Sequence, residues 1–272
     1  MRKLYLGFGR EERDGKQTRG ERASVDLAKF VQAIPPTTCV YLEDSYAQSV
    51  SSNVLRVAEE KNAVYLALDR TIFHPRSGGQ PSDQGTIDGS SFHVDIKRAM
   101  LQTGVIIHYG KAKGKPETGP VTCKIDWPNR FLLMRRHTAA HLLDYCLATL
   151  TSSRVETTDS WLGDDPYVGY GGSAPSGLDL ERLTALAGGF IQQRLNVDVR
   201  TLDRAAAERL IADAPNISRL PKSEKLRIVT IEGQLPIPCG GTHVRNLNEV
   251  GALEVRRTEP AETGFRLHFE VK

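Results

Sequence analysis

The chain has 272 residues, of which 39% are hydrophobic and 25% are charged; this composition is typical of folded globular proteins and excludes a disordered or fibrous one. Its length is comfortable for two domains, and the absence of any apolar run approaching about 20 residues argues against a membrane protein. The net charge of +3, from 36 basic and 33 acidic residues, excludes a histone-like protein but leaves room for a local basic face.

Residues 1–37 are predicted to form an N-terminal extension that precedes a β-rich domain. They include the charged run REERDGKQTRGER and end in a linker at Pro35-Pro36, so we expect an N-terminal extension that is mobile or solvent-facing. In the domain at residues 38–126, we expect one helix over residues 45–61. Runs rich in Val, Ile, Tyr and Phe predict strands at residues 63–68, 91–97, 104–109 and 120–125. Short strands at this spacing favour a small barrel.

The pattern changes at Trp127-Pro128, where Pro128 suits the first turn of a helix capped by Asp126. Apolar residues then recur at helical spacing as far as Leu150. Two more helices are predicted at residues 179–196 and 203–213, and strands at residues 226–231, 252–257 and 265–271. Residues 127–272 are therefore expected to pack helices on a sheet, which makes the whole chain α+β.

Two motifs carry residues that bind metal ions. Arg136-His137-Thr138-Ala139-Ala140-His141 places two histidines four positions apart on the predicted helix, so both imidazoles project from one face. Pro238-Cys239-Gly240-Gly241-Thr242-His243 lies in a predicted loop, where glycines let the backbone fold tightly around an ion. Either pair alone is more often incidental. Together they supply three imidazoles and one thiolate, which predicts one zinc ion per chain.

The ligand set leaves the role of the zinc open. Four protein ligands are typical of a structural site, whereas a catalytic site keeps one position for substrate or water. A zinc metalloprotease is excluded, because its H-E-x-x-H motif needs a glutamate where this chain has Thr138. A third segment, LDRTIFHPRSGGQPSDQG at residues 68–85, reads as a strand entering a Gly-rich loop and lacks the motif of a nucleotide phosphate loop.

These motifs together resemble those of the AlaX family of freestanding alanyl-tRNA editing proteins and of the editing domain of alanyl-tRNA synthetases. The resemblance rests on HTAAHLL, on CGGTHV about a hundred residues later, on a Gly-Phe-Arg near the terminal strand and on the GGQP segment, and it covers residues 38–272. Because the chain ends at Lys272, we expect no aminoacylation domain and an editor of the medium-length form. The resemblance implies a β-barrel-like domain followed by a two-layer editing domain of the second-additional-domain type at residues 127–272.

The same resemblance implies an activity and a set of site residues. The activity is zinc-dependent hydrolysis of the ester in mischarged tRNA(Ala), with serine or glycine removed at the acceptor end. Thr138 falls where the family senses the hydroxyl of serine, and Gly78 and Gly79 match a glycine motif beside the active site. The implied zinc ligands are His137, His141, Cys239 and His243.

Other observations bear on partners and alternatives. Basic residues beside the metal helix could contact acceptor-stem phosphates or simply form a solvated face: Lys124, Arg130, Arg135 and Arg136. The Gly- and Ser-rich residues 167–177 depart from the family pattern and put the amino-acid specificity in doubt. The alternatives are a non-catalytic tRNA-binding protein with a structural zinc and another zinc-dependent hydrolase of small esters or amides. The four scattered cysteines and the missing secretory signal lead us to expect a cytoplasmic protein.

Overall fold

The computed structural model describes residues 25–61, 63–152, 156–211 and 223–272. The elements of the first half are α1 (Leu27–Val31), β1 (Thr38–Cys39), α2 (Val40–Glu43), β2 (Ser49–Glu60), β3 (Ala63–Leu68), β4 (Arg70–Thr71), β5 (Gly85–Asp88), β6 (His93–Gln102), β7 (Val105–Lys113) and β8 (Gly119–Ile125). Six of these strands close into a barrel in the order β2-β3-β7-β6-β5-β8, and every neighbouring pair is antiparallel. The predicted barrel is confirmed.

The barrel depends on one strand that the sequence did not predict. The helix expected over residues 45–61 is wrong, because this segment contains β2, which pairs with β8 along its first half and with β3 along its second. Its sequence, SVSSNVLRVAEE, is rich in serine and valine. Both residues have a low helix propensity, and valine packs well in a β-strand. Both edges of β2 are hydrogen-bonded, so the strand closes the barrel around a core that includes Val54, Leu66, Ile87, Val94, Ile106 and Val121.

The segment before the barrel is partly ordered. Asp26 caps α1 by accepting hydrogen bonds from the backbone N–H groups of Ala28 and Lys29. Phe30 and Val31 are buried and belong to a small apolar cluster on the outside of the barrel. Burial of these two apolar side chains holds this part of the segment on the barrel, whereas most other residues from 25 to 37 are exposed or partly buried, and the expectation of a mobile or solvent-facing extension stays a prediction. Residues 1–24 lie outside the described part of the chain.

The second half is a helical layer on an antiparallel sheet. Its elements are α3 (Trp127–Thr151), β9 (Thr157–Trp161), β10 (Tyr167–Gly171), α4 (Leu180–Gln192), β11 (Val197–Asp203), α5 (Arg204–Leu210), β12 (Lys225–Ile231), β13 (Ile237–Pro238), β14 (Leu253–Ala261) and β15 (Gly264–Val271). The larger sheet has the order β14-β15-β10-β9, and a smaller one has the order β11-β12-β13. The predicted α+β class is confirmed. In the described part of the chain, no helix combines the length and apolar character needed to cross a membrane.

The long helix α3 is the element that positions the site. Asp126 accepts a hydrogen bond from the backbone N–H of Asn129, and Pro128 occupies the first turn, as the sequence predicts. The buried face of α3 packs with α4 against the larger sheet through an apolar core that includes Met134, Leu143, Leu147, Leu183, Leu267 and Phe269. The Gly-rich residues 167–171 form β10, which pairs with both β9 and β15. The predicted end of the third helix at residue 213 lies outside the described residues.

Candidate metal centre

The structure brings the four predicted zinc ligands together. The helix α3 stacks the rings of His137 and His141 with centroids 5.1 Å apart. The loop that follows β13 brings Cys239 and His243 to the same place, with the Cys239 Sγ 3.4 Å from His137 Nε2 and 3.3 Å from His243 Nε2. One donor atom from each residue lies within 4.8 Å of all the others. This spacing suits four ligands of a single ion.

The chemistry of the donor set also fits zinc. Burial lowers the pKa of all three imidazoles, to about 4 for His141 and well below the ordinary value for His137 and His243. The rings are therefore neutral at pH 7 and present free lone pairs, as metal ligands must. Neither ring nitrogen of His141 has a hydrogen-bond partner among the described residues, although both are buried. A bound cation would satisfy one of these two nitrogens.

His137 is oriented by a side chain from the barrel half. Gln80 follows the two glycines of the Gly-rich loop and is completely buried. Its Oε1 accepts hydrogen bonds from the backbone N–H of Thr242, at 3.1 Å, and from His137 Nδ1, at 2.8 Å, while its Nε2 donates to Thr242 Oγ1 at 2.8 Å. Because an amide oxygen only accepts, the proton of His137 is on Nδ1. The Nε2 lone pair then faces the cluster.

His243 is oriented by Thr138. The Thr138 side chain is completely buried, its Oγ1 lies 3.2 Å from His243 Nδ1, and it accepts a hydrogen bond from the backbone N–H of Val244 at 3.3 Å. This contact places the Nε2 of His243 toward Cys239. The structure thus assigns Thr138 a contact with a ligand, while its recognition of a serine hydroxyl stays a prediction.

The Gly-rich loop reaches the centre by crossing the edge of the larger sheet. Gly78 and Gly79 have positive φ angles of 54° and 77°, which glycine adopts without strain. The Gly79 carbonyl accepts a hydrogen bond from the backbone N–H of Leu162 at 3.0 Å, and a Cβ on Gly79 would lie 2.2 Å from Ser160 Oγ. This close approach delivers Gln80 to His137, so the predicted glycines lie beside the metal centre.

The cysteine loop is held by an arginine from β12. Arg227 donates to the carbonyl oxygens of Cys239, at 2.8 Å, and Gly241, at 2.7 Å, and also to Leu42 at 3.1 Å. Burial raises the pKa of the Cys239 thiol, whereas the N–H of Gly241 and the charge of Arg227 lower it. A neighbouring cation thus favours the thiolate that a metal ion requires.

A carboxylate lies behind His141. Asp144 is three positions further along α3, and its Oδ2 lies 3.9 Å from His141 Nδ1. Its Oδ1 accepts hydrogen bonds from Tyr170 Oη at 2.8 Å and Thr157 Oγ1 at 3.4 Å. Burial raises the pKa of Asp144 to about 7, against the lowering effect of these two hydroxyl groups.

The four basic residues predicted to bind tRNA have different surroundings. Arg130 is completely buried and forms an ion pair with Asp83, so the expectation that it contacts phosphate is corrected. Arg135 donates to the carbonyls of Val250 and Lys272, and Arg136 to those of Leu162 and Gly163. Lys124 is exposed on β8. Phosphate binding by Arg135, Arg136 and Lys124 stays a prediction.

The buried pair of Arg130 and Asp83 joins the two halves. Arg130 Nε donates to Asp83 Oδ1 at 2.8 Å, and its other nitrogens donate to the carbonyls of Ser45 and Ile72. Asp83 also accepts a hydrogen bond from the backbone N–H of His74 at 2.6 Å. The two residues are 47 positions apart in the chain, so no local sequence pattern predicts this ion pair.

Sequence reasoning missed three residues beside the candidate ligands: Gln80, Asp144 and Arg227. Asp144 had a usable signal, because a residue three positions after His141 lies on the same face of a helix. Gln80 lies 57 positions before His137 and Arg227 lies 12 positions before Cys239, and neither spacing matches a pattern that links a residue to the metal motifs.

Comparison with known proteins agrees with these features. A family model of class II (A) tRNA synthetases matches residues 9–129, and a model of the threonyl and alanyl tRNA synthetase second additional domain matches residues 226–266. The alanyl-tRNA editing protein AlaX-L of Pyrococcus horikoshii is 34% identical over 221 residues, which cover 80% of this chain and 54% of that protein. The chain therefore spans about half the length of this curated relative.

Alanine–tRNA ligases are similar over an even larger share of the chain. The ligase of Hyperthermus butylicus is 28% identical over 252 residues, covering 90% of this chain and 26% of the ligase. The ligase of Pyrobaculum neutrophilum is 27% identical over 270 residues, covering 92% of this chain and 28% of the ligase. Both alignments extend across the barrel and the candidate metal centre.

The class II (A) tRNA synthetase model matches the part of the chain that forms the barrel, and the second additional domain model matches the segment that carries Cys239 and His243. More narrowly, the chain is similar to an AlaX alanyl-tRNA editing protein.

Proposed function

We propose that this chain is an aminoacyl-tRNA hydrolase that removes serine or glycine from mischarged tRNA(Ala) at a zinc centre formed by His137, His141, Cys239 and His243. The observation that carries the proposal is the convergence of these four donors in a chain that matches an alanyl-tRNA editing protein over 80% of its length. The partner is the acceptor end of tRNA(Ala), and the role is fidelity of translation in the cytoplasm.

The accessible side of the centre supports a substrate approach. His137 and His243 are 6% and 2% exposed, whereas His141 and Cys239 are only partly buried. The end of an aminoacylated tRNA therefore approaches on the side of His141 and Cys239. The bound zinc would supply positive charge that orients the terminal ribose and stabilises negative charge on the ester carbonyl oxygen.

The residues of the chain prepare the centre for this approach. Gln80 and Thr138 hold His137 and His243 through their Nδ1 atoms, so these two rings need not rotate when substrate arrives. Residues 127–272 carry the four ligands, and residues 38–126 supply the Gly-rich loop. Discrimination against alanine needs a buried donor or acceptor that pairs with the serine hydroxyl and loses that partner with alanine. Thr138 is our candidate: its Oγ1 accepts from the Val244 N–H and contacts His243 Nδ1, and its O–H proton would donate to the serine hydroxyl.

One observation favours a second candidate function. All four positions of a tetrahedral ion would be taken by protein side chains, which is the pattern of a structural site. The second candidate is therefore a tRNA-binding protein whose zinc has no catalytic role. A zinc-dependent hydrolase of small esters or amides is the remaining alternative.

Deacylation assays separate these functions. The purified protein is incubated with Ser-, Gly- and Ala-tRNA(Ala), and the release of each amino acid is followed. We expect release of serine or glycine and retention of alanine. Tight binding of tRNA without release would support the structural zinc, and inertness toward all three tRNAs with hydrolysis of small esters would support the other hydrolase.

The ligand assignment has its own test. Cys239→Ala removes the thiolate, so we expect loss of zinc and of deacylation. Cys39→Ala is the matched control, because Cys39 is the other half-buried cysteine and lies outside the cluster. Full zinc content in the Cys239 variant, measured by atomic absorption, would refute the assignment.

A further inference from the structure

His141 differs from the other two histidines of the cluster in its surroundings. His137 Nδ1 has Gln80 at 2.8 Å and His243 Nδ1 has Thr138 at 3.2 Å. Both nitrogens of His141 are buried and have no hydrogen-bond partner within the described ranges. If Nε2 of this ring binds an ion, its Nδ1–H still needs an acceptor, because a buried donor without one is costly.

Asp144 is placed to be that acceptor. It lies one turn beyond His141 on α3, and its Oδ2 is 3.9 Å from His141 Nδ1, about an ångström longer than a hydrogen bond. The other oxygen, Oδ1, is held by Tyr170 and Thr157. Tyr170 lies on β10 and Thr157 on β9, so the larger sheet fixes the carboxylate while one oxygen faces the ring.

We propose that Asp144 is a positioning residue, which accepts the Nδ1–H of His141 and holds this ligand on the side of the metal centre where substrate approaches. The proposal deepens the proposed function, since it rests on the assigned ligand set. Each histidine of the cluster would then have its own acceptor for Nδ1–H. His137 has the amide of Gln80, His243 has the hydroxyl of Thr138, and His141 has the carboxylate of Asp144. A carboxylate behind a ligating imidazole raises the basicity of the ring and fixes its tautomer.

The geometry explains why an acid is needed here. Two hydroxyl donors point at Oδ1 and one imidazole faces Oδ2, so both oxygens of the side chain must accept. An asparagine has one accepting oxygen and one donating amide. In Asp144→Asn, the side-chain amide would face either the two hydroxyl groups or the imidazole. An amide that faces the ring would favour the tautomer of His141 with its proton on Nε2, and this Nε2 would have no lone pair for an ion.

The test measures zinc affinity of the full chain by competition with a chromophoric chelator. We expect Asp144→Asn to weaken zinc binding by about 10- to 100-fold, and Asp144→Glu, which keeps two accepting oxygens, to weaken it less. The visible bands of the Co²⁺-substituted protein should shift in Asp144→Asn, because the field of one imidazole changes. Wild-type affinity and an unchanged Co²⁺ spectrum in Asp144→Asn would overturn the proposal.

A control separates positioning from loss of stability. Leu147→Val trims a completely buried side chain on the same helix, and we expect it to lower the stability of the metal-free protein without changing zinc affinity. If Leu147→Val weakens zinc binding as much as Asp144→Asn does, the effect is structural and the proposal fails. Zinc binding by the wild type without deacylation would refute the proposed function but not the role of Asp144, whereas no zinc binding at all would refute both.

Discussion

Replacement of Asp83 by asparagine should destabilise the whole molecule, because it removes the negative partner of a completely buried arginine. The side chains of Arg130 and Asp83 are 0% and 1% exposed, so water cannot hydrate the guanidinium group once its partner is removed. Breaking a buried ion pair from one side costs about 3–5 kcal/mol. At roughly 2–4 °C per kcal/mol for a chain of comparable size, the melting temperature should fall by about 6–20 °C.

The assay is urea and thermal unfolding of the metal-free protein. Asp198→Asn serves as the control, since Asp198 pairs with Arg200 on the surface, where the two side chains are 49% and 70% exposed; we expect a change within about 0.5 kcal/mol. A second readout is zinc affinity, which should also fall for Asp83→Asn, because Gln80 lies only three positions earlier in the same loop. A decrease in the free energy of unfolding of less than about 1 kcal/mol would refute the reasoning, because a solvent-exposed ion pair contributes that much.

Three further predictions concern smaller changes. A Cβ on Gly241 would lie 2.1 Å from the ring of His137, whereas one on Gly240 meets no described atom within 4 Å, so Gly241→Ala should weaken zinc binding in a chelator competition and Gly240→Ala should not. Gly79→Ala should reduce deacylation more than Gly78→Ala, since both glycines have positive φ but only Gly79 abuts the edge strand of the larger sheet; equal losses would mean that backbone strain alone matters. The pKa of His93 is raised by two flanking aspartates at 2.6 and 3.3 Å, so its stabilising effect is complete below a pH of about 6.5 and is lost as the pH rises through the raised pKa. His93→Gln should therefore lower unfolding stability at about pH 5.5 and leave it unchanged at about pH 8.5; an equal loss at both would contradict the ionic origin.

Local patterns were sufficient for part of the fold. The α3 helix was predictable because its cap, its proline and its apolar spacing all favour the same structure. The strand β2 was not, since its hydrogen-bond partners on β8 lie about 70 positions away and only the closed barrel brings them together. Residues 167–171 form a strand despite two glycines at positions 169 and 171, because β9 and β15 bind them from both sides.

The candidate site was also predictable only in part. Ligand types and their spacing were readable, because two short motifs contain all four donors. The surroundings of the ligands were not, since Gln80 is 57 positions from His137. Arg130 was misread for the same reason: a charged residue on a helix is usually exposed, and only the fold reveals the aspartate that allows its burial.

The crossing of the Gly-rich loop over the sheet edge has a consequence for engineering. All four donors belong to residues 127–272, so this segment alone resembles a portable metal module. Yet the acceptor for His137 Nδ1 belongs to the barrel. A chimera that transplants only the donor segment onto another scaffold would inherit the ligands but leave one imidazole free to rotate. Residues 78–80 must therefore be grafted together with it, and the smallest transferable unit is one loop larger than the list of ligands indicates.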